Sequence, residues 1–267
     1  MLREELIPLG QHDLANHLNS LSGKELQELL ACLQCINTAV LKQQRRMILS
    51  PEVPQASAYQ PFDAYAEAGS EEIQSVGKKL IAEGKVGCLI TAGGEGTRLG
   101  FNGPKGMFPI SVIEHKTLFQ LFAEKTVAAS KQAGRPLPLA IMTSPQNDQT
   151  TRQYFEENHR FGLRQDQLFF FCQGQLPFLD SKGNMFLETR TKIAQGPDGN
   201  GLCLNHFIEQ GIWNTWASRG IQYLNMVLID NPLADPFERC RDCWGRCCFL
   251  AERRLRCVDI AALGHGW

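Results

Sequence analysis

Residues 89–106 read LITAGGEGTRLGFNGPKG. The apolar run Val86–Ile90, which leads into this stretch, has the length and character of a buried strand. It empties into Gly93, Gly94, Gly96 and Gly100, with Arg98 and Lys105 close by. Glycines let a backbone take positive φ and bring its N–H groups against an anion. A helix beginning after such a loop favours the same negative charge. Arg98 offers a planar fork to phosphate oxygens, and Lys105 a point charge. Pro104 fixes φ just before Lys105, so the lysine stands on a stiffened loop. The stretch reads as a cradle for three consecutive phosphates. Thr91, Ala92, Gly93, Gly94 and Gly96 are expected to line the nucleotide, with Arg98 and Lys105 as the catalytic cations.

Two commoner glycine loops are excluded by spacing. The dinucleotide fingerprint needs G-x-G-x-x-G, but Gly94, Gly96 and Gly100 are one residue too widely spread. The P-loop needs Ser or Thr after its lysine, and Lys105 is followed by Gly106. An ordinary glycine-rich turn is the plain alternative. The long pattern G-x-G-T-R-L-G-x-x-x-P-K, from Gly94 to Lys105, argues against it.

The chain of 267 residues is long enough for one sizeable core and a small appendage. Its 43% hydrophobic and 21% charged residues are those of a globular protein. A net charge of −1 supplies no argument for nucleic acid or membrane. No apolar run approaches the roughly 18 residues of a membrane span. MLREELIPLG lacks the layout of a signal peptide, so a cytoplasmic protein is expected. Of ten cysteines, Cys32, Cys35, Cys88, Cys172 and Cys203 are scattered, as suits a reduced compartment. Cys32 and Cys35 form C-x-x-C inside a helical pattern, which favours core packing over redox chemistry.

Residues 1–55 read as a helical N-terminal extension. Ser22 and Glu25 make a capping box, and Leu26, Leu29, Leu30, Leu33, Val40 and Leu41 follow helical spacing. Residues 56–236 read as an α/β domain. A helix capped by Ser70 runs to about Glu83, and helices are expected over 117–132, 150–158 and 202–219. Strands are expected over 137–143, 167–172 and 221–229. Alternating helix and strand periods predict a sheet flanked by helices, with ligands beyond the carboxyl ends of strands.

Three further motifs lie near such ends. Gln173 and Gly174 close a strand, and an amide can pair with a base edge, although a plain loop is the simpler reading. Pro197–Gly201 reads PDGNG, a turn that by composition says only close backbone approach. Asp230 and Asn231 follow a strand; a carboxylate there suits Mg²⁺, or simply opens a turn before Pro232.

Taken together, the stretch from about residue 60 to about 236 resembles the eukaryotic-type UDP-sugar pyrophosphorylases, closest to the UDP-N-acetylglucosamine enzymes. The resemblance implies a Rossmann-like nucleotide-diphosphosugar transferase sheet. It also implies transfer of UMP from UTP to a sugar 1-phosphate, with release of pyrophosphate. It implies that Gln173 reads uracil, that Gly199 lies against it, that Asn200 faces the sugar and that Asp230 serves the metal. Asn200 favours the amino sugar, since the UDP-glucose enzymes show histidine at that place. Leu202 stands where the family has a second glycine, which leaves UTP–glucose-1-phosphate uridylyltransferase as the alternative.

After ADPF the chain turns Arg- and Cys-rich, and residues 237–267 are expected to be a divergent, disordered tail. From the resemblance, the C-terminal part of the family fold is expected to be missing. A reading-frame change is favoured over a natural alternative terminus and over a zinc knuckle of Cys240, Cys243, Cys247 or Cys248, and Cys257. An inactive nucleotide-binding fragment is therefore the competing reading, and a dinucleotide oxidoreductase a third. No general base is needed, because a sugar phosphate is already ionised; His115, His159 and His206 are expected to be structural or exposed.

Overall fold

The computed structural model describes residues 3–51, 71–237, 247–251 and 254–257. In chain order the elements are α1 (Arg3–Leu6), α2 (His12–Leu18), α3 (Gly23–Gln34), α4 (Thr38–Leu49), α5 (Glu71–Ala82), β1 (Val86–Thr91), α6 (Leu118–Ala133), β2 (Leu139–Thr143), α7 (Asp148–Glu157), β3 (Leu168–Cys172), β4 (Gln175–Pro177), β5 (Leu187–Thr189), β6 (Lys192–Ile193), β7 (Gln195–Pro197), α8 (Cys203–Glu209), α9 (Ile212–Ser218), β8 (Tyr223–Leu228), β9 (Cys247–Ala251) and β10 (Arg254–Cys257). Ser70 and Pro54 lie outside the described residues, as do Cys240, Cys243 and Trp244 of the tail.

Two compact units form: Met1–Pro61 with Gln175–Asp198, and Phe62–Gly174 with Gly199–Trp267. The sequence placed residues 175–198 in the α/β domain. Instead they join the N-terminal helices, and Gln11 shows why. Its buried amide donates to Gly183 O at 2.8 Å and accepts from Met185 N at 2.8 Å. Met185 and Ile193 complete the core of Leu6, Leu29, Leu33 and Leu41. Helices alone would leave that apolar stripe in water. Ser22 does precede α3 with an extended backbone, but its side chain makes no capping bond. The helical pattern breaks at Cys35, and Asn37 caps α4 by accepting from Ala39 N and Val40 N. Cys32 packs against this core while Cys35 is exposed, so core packing holds for the first cysteine only.

In the second unit a six-stranded sheet runs in the order β10-β9-β8-β1-β2-β3. Strands β8, β1, β2 and β3 are parallel. Their side chains alternate between two cores, as strand geometry requires. Cys88, Ile90, Leu139 and Ile141 meet Phe119 and Phe122 of α6 and Phe155 of α7. Leu89, Ala140, Met142 and Phe171 meet Phe207 of α8 and Trp213 and Trp216 of α9. Helices thus cover both faces, the expected Rossmann-like arrangement. The helix expected over 202–219 is two, parted at Gly211, whose φ of 78° a continuous helix could not hold. Strands β9 and β10 fall in the tail expected to be disordered, and β9 pairs antiparallel with the outer edge of β8. An edge strand left bare presents unpaired N–H and C=O groups; β9 supplies their partners. Among the described residues no helix is long and apolar enough to cross a membrane.

Candidate functional site

The chain runs β1, β2, β3 in one direction across the sheet, then returns to place β8 on the other side of β1. The crevice outside the carboxyl ends of β1 and β8 is therefore the point where strand order reverses, the usual ligand position in open α/β sheets. The glycine loop leaves β1 there, and Asp230 leaves β8.

The loop is a pinned hairpin. Ala92 donates to Met142 O at 2.8 Å, and its carbonyl accepts from Asn147 Nδ2 at 3.4 Å. Gly96 donates to Gly103 O at 2.8 Å, Lys105 N donates to Gly94 O at 3.0 Å, and Glu95 bridges Pro104. Ala92 and Gly96 thus spend main-chain groups on building the loop. The N–H groups of Gly93 and Gly94 donate to no described residue, which leaves them available to an anion. Thr91 is buried at the strand end, and its Oγ1 has no hydrogen-bond partner among the described residues.

Lys105 opens the short 3-10 turn Lys105–Met107. Its Nζ lies 2.9 Å from Asp230 Oδ1 and 3.1 Å from Oδ2. The lysine side chain is 13% exposed, the aspartate 56%. A Cβ on Gly94 would stand 3.8 Å from that Nζ, so the ammonium reaches over the bare glycine. Asp230 is held by its surroundings. Ile229 N donates to Thr91 O, Asn225 Nδ2 to Pro236 O at 2.9 Å, and Lys125 Nζ to Pro232 O and Ala234 O at 2.8 and 2.7 Å.

Gln173 sits just past β3, buried, with its N–H donating to Thr143 O at 2.9 Å. Its amide lies directly against Gly93: a Cβ there would be 2.6 Å from Nε2. The side chain has no hydrogen bond to a described residue, so its donor and acceptor are available. Gln173, Gly93, Gly94, Lys105 and Asp230 form one contiguous line. Arg98 is not joined to it. It lies exposed on the turn Thr97–Leu99, without a hydrogen bond or ion pair to any described residue. Gly199 (φ 76°) and Asn200 are exposed too, and Asn200 O accepts from Cys203 N at the start of α8.

His206, expected to be structural or exposed, is structural. Its Nε2 accepts from Gly174 N at 3.1 Å. A histidine four residues into a helix carries no local signal for that contact. The thiol of Cys88, within β1, is pushed up by burial and is unreactive in character.

Among the described residues no cluster of three or more His, Cys, Asp or Glu is placed to hold a metal ion. Mg²⁺ needs only one or two protein carboxylates beside water and phosphate oxygens. Asp230 fits that donor set, although Lys105 engages both of its oxygens.

A concavity of about 260 Å³ lies at the opposite, amino-terminal edge of the sheet, beside Arg135, Asp166 and Arg219. Its cations are spent on structure: Arg135 donates to Glu83 O and Arg219 to Asp166 O, each at 2.7 Å.

Fold and site together define a Rossmann-like α/β protein with a glycine loop and a Lys105–Asp230 pair at its switch point. The model of the UTP–glucose-1-phosphate uridylyltransferase family matches residues 36–238, and the chain belongs to that family. It is 34% identical over 256 residues to UDP-N-acetylglucosamine diphosphorylase 1 of Arabidopsis thaliana, covering 88% of this chain and 51% of that protein. It is 32% identical to the UDP-N-acetylglucosamine pyrophosphorylase of Saccharomyces cerevisiae, covering 88% of this chain and 54% of that one. The crystal structure of the uridine diphosphate N-acetylglucosamine pyrophosphorylase from Trypanosoma brucei in complex with inhibitor superposes with a TM-score of 0.72 at 26% identity, over 97% of this chain and 60% of that one. The chain spans about half the length of the curated relatives it matches.

Proposed function

We propose that this chain is a uridylyltransferase that moves UMP from UTP to a sugar 1-phosphate, N-acetylglucosamine 1-phosphate foremost, and releases pyrophosphate. The observation that carries the reading is the single line from the Gln173 amide through Gly93 and Gly94 to the Lys105–Asp230 pair at the switch point. An amide, bare glycines and a cation stand there in succession, which supports a base followed by phosphates. The relatives' names supply the amino sugar, and Asn200 agrees with them.

In this reading a phosphate oxygen of the sugar phosphate attacks the α-phosphorus of UTP. The new P–O bond forms as the bond to the β-phosphate bridge breaks, and pyrophosphate leaves with the electron pair. The attacking oxygen is already ionised, so the chain's task is positioning and charge neutralisation. Gly93 and Gly94 would donate to phosphate oxygens, and Lys105 would offset charge on the leaving group. Arg98 would need to turn inward to join them. Asp230 would hold Mg²⁺, which when bound screens the phosphate charges. Free, scattered cysteines support a cytoplasmic setting.

Pyrophosphate release from UTP is the test, assayed with N-acetylglucosamine 1-phosphate and glucose 1-phosphate in turn. Release with the amino sugar supports the reading, and release with glucose 1-phosphate alone moves it to the alternative product. Silence with both, alongside UTP binding by calorimetry, would leave a nucleotide-binding chain without turnover.

A further inference from the structure

Strand β3 is the outermost strand on its side of the sheet among the described residues, so the outer backbone groups at its end have no neighbouring strand there. Side chains from the α8 segment take that place. Gln210, one residue beyond α8, donates from Nε2 to Cys172 O at 2.8 Å and accepts at Oε1 from Cys172 N at 3.3 Å. His206 Nε2 accepts from Gly174 N at 3.1 Å. Residues four apart share one helix face, so the two act as a clasp. An accepting Nε2 puts the ring proton on Nδ1, which faces the Glu209 carboxylate at 3.7 Å. Gln173 lies between the two clasped residues, and its own N–H is tied to β2 on the inner side. The same helix starts at Cys203, bonded to Asn200 O, so one element touches both the 172–174 corner and the 199–202 turn.

We propose that His206 and Gln210 are positioning residues that fix Gln173 for the nucleobase and thereby set a preference for UTP over CTP. The inference rests on Gln173 meeting the base, as read above. A glutamine amide can present either its donor or its acceptor, so it discriminates uracil from cytosine only where its placement is held. The clasp holds the main chain on one side and Gly93 stops the amide on the other.

The test is calorimetric titration of the full chain with UTP and with CTP, beside hydrogen exchange at the Gly174 amide. His206→Ala should speed exchange at Gly174 and reduce the UTP preference by roughly threefold to tenfold, the range of one net hydrogen bond. Gln210→Ala should shift the preference the same way. His206→Gln places an accepting oxygen about where Nε2 stands, and should restore both readouts. Faster exchange with an unchanged preference would overturn the proposal, since the clasp would then only shelter an edge. Unchanged exchange would overturn it too, by showing that the bond does not hold. A wild-type chain that binds UTP and CTP equally would sink the nucleobase reading itself, whatever the exchange shows.

Discussion

A bare Cα at position 93 is what lets the Gln173 amide lie against the glycine loop. Gly93→Ala would set a methyl 2.6 Å from Gln173 Nε2, at the mobile end of a side chain. We expect the amide to move and the fold to survive: a melting temperature close to wild type, with UTP affinity by calorimetry lower by about tenfold. Lys105→Ala should divide the same way between stability and chemistry. Asp230 is half exposed and can be rehydrated, so urea unfolding should shift by no more than about 1 kcal/mol. Pyrophosphate release should fall by roughly a hundredfold or more, the loss of one preorganised charge of about 3 kcal/mol. The glycines and Lys105 were legible because loop chemistry follows local spacing. The partner of Lys105 was not, since Asp230 is 125 residues away and no spacing rule joins them.

Helices here are fixed by ends and by buried faces, and the two can be measured apart. Thr117 caps α6 by accepting from Gln120 N at 3.2 Å, and its hydroxyl also meets Tyr154 Oη at 3.1 Å. Thr117→Ala should lower unfolding free energy by about 1 kcal/mol. Trp216 of α9 is fully buried between Phe169 and Phe207. Trp216→Ala should cost about 3–5 kcal/mol in the same urea experiment. Within α6, burial pushes the Glu124 carboxyl up, but hydrogen bonds from Lys116 and Gln120 outweigh it and the net direction is below the ordinary value of 4.5. The unfolded chain therefore takes up that proton more readily. The contribution is present above 4.5 and is lost as pH falls through the lower, folded value. Glu124→Gln should lower stability at neutral pH, where that contribution is present, and converge with the wild type in acid, which flattens the acid side of the stability–pH curve. The cap at Thr117 could be read from sequence as an element boundary. The break at Gly211 could not, because apolar spacing continues on both sides of it.

At the scale of the molecule, the order of strands decides which ends meet. Titration with NAD should give no heat, because the glycine spacing that excluded a dinucleotide loop is built into a hairpin pinned between Glu95 and Pro104. By themselves the residues of this chain determined strand period, loop chemistry and a family signature, all of which depend on neighbours within a few positions. Membership of that family and the Rossmann-like sheet followed from them. Only the tertiary structure decided that Lys105 meets Asp230, that Gln173 lies on Gly93, that His206 holds Gly174, and that residues 175–198 complete the N-terminal core. Those pairings depend on where the sheet sets β8 beside β1 and where chain returns bury apolar surface. Such adjacency comes from packing summed over the whole fold, and no short window of residues encodes it.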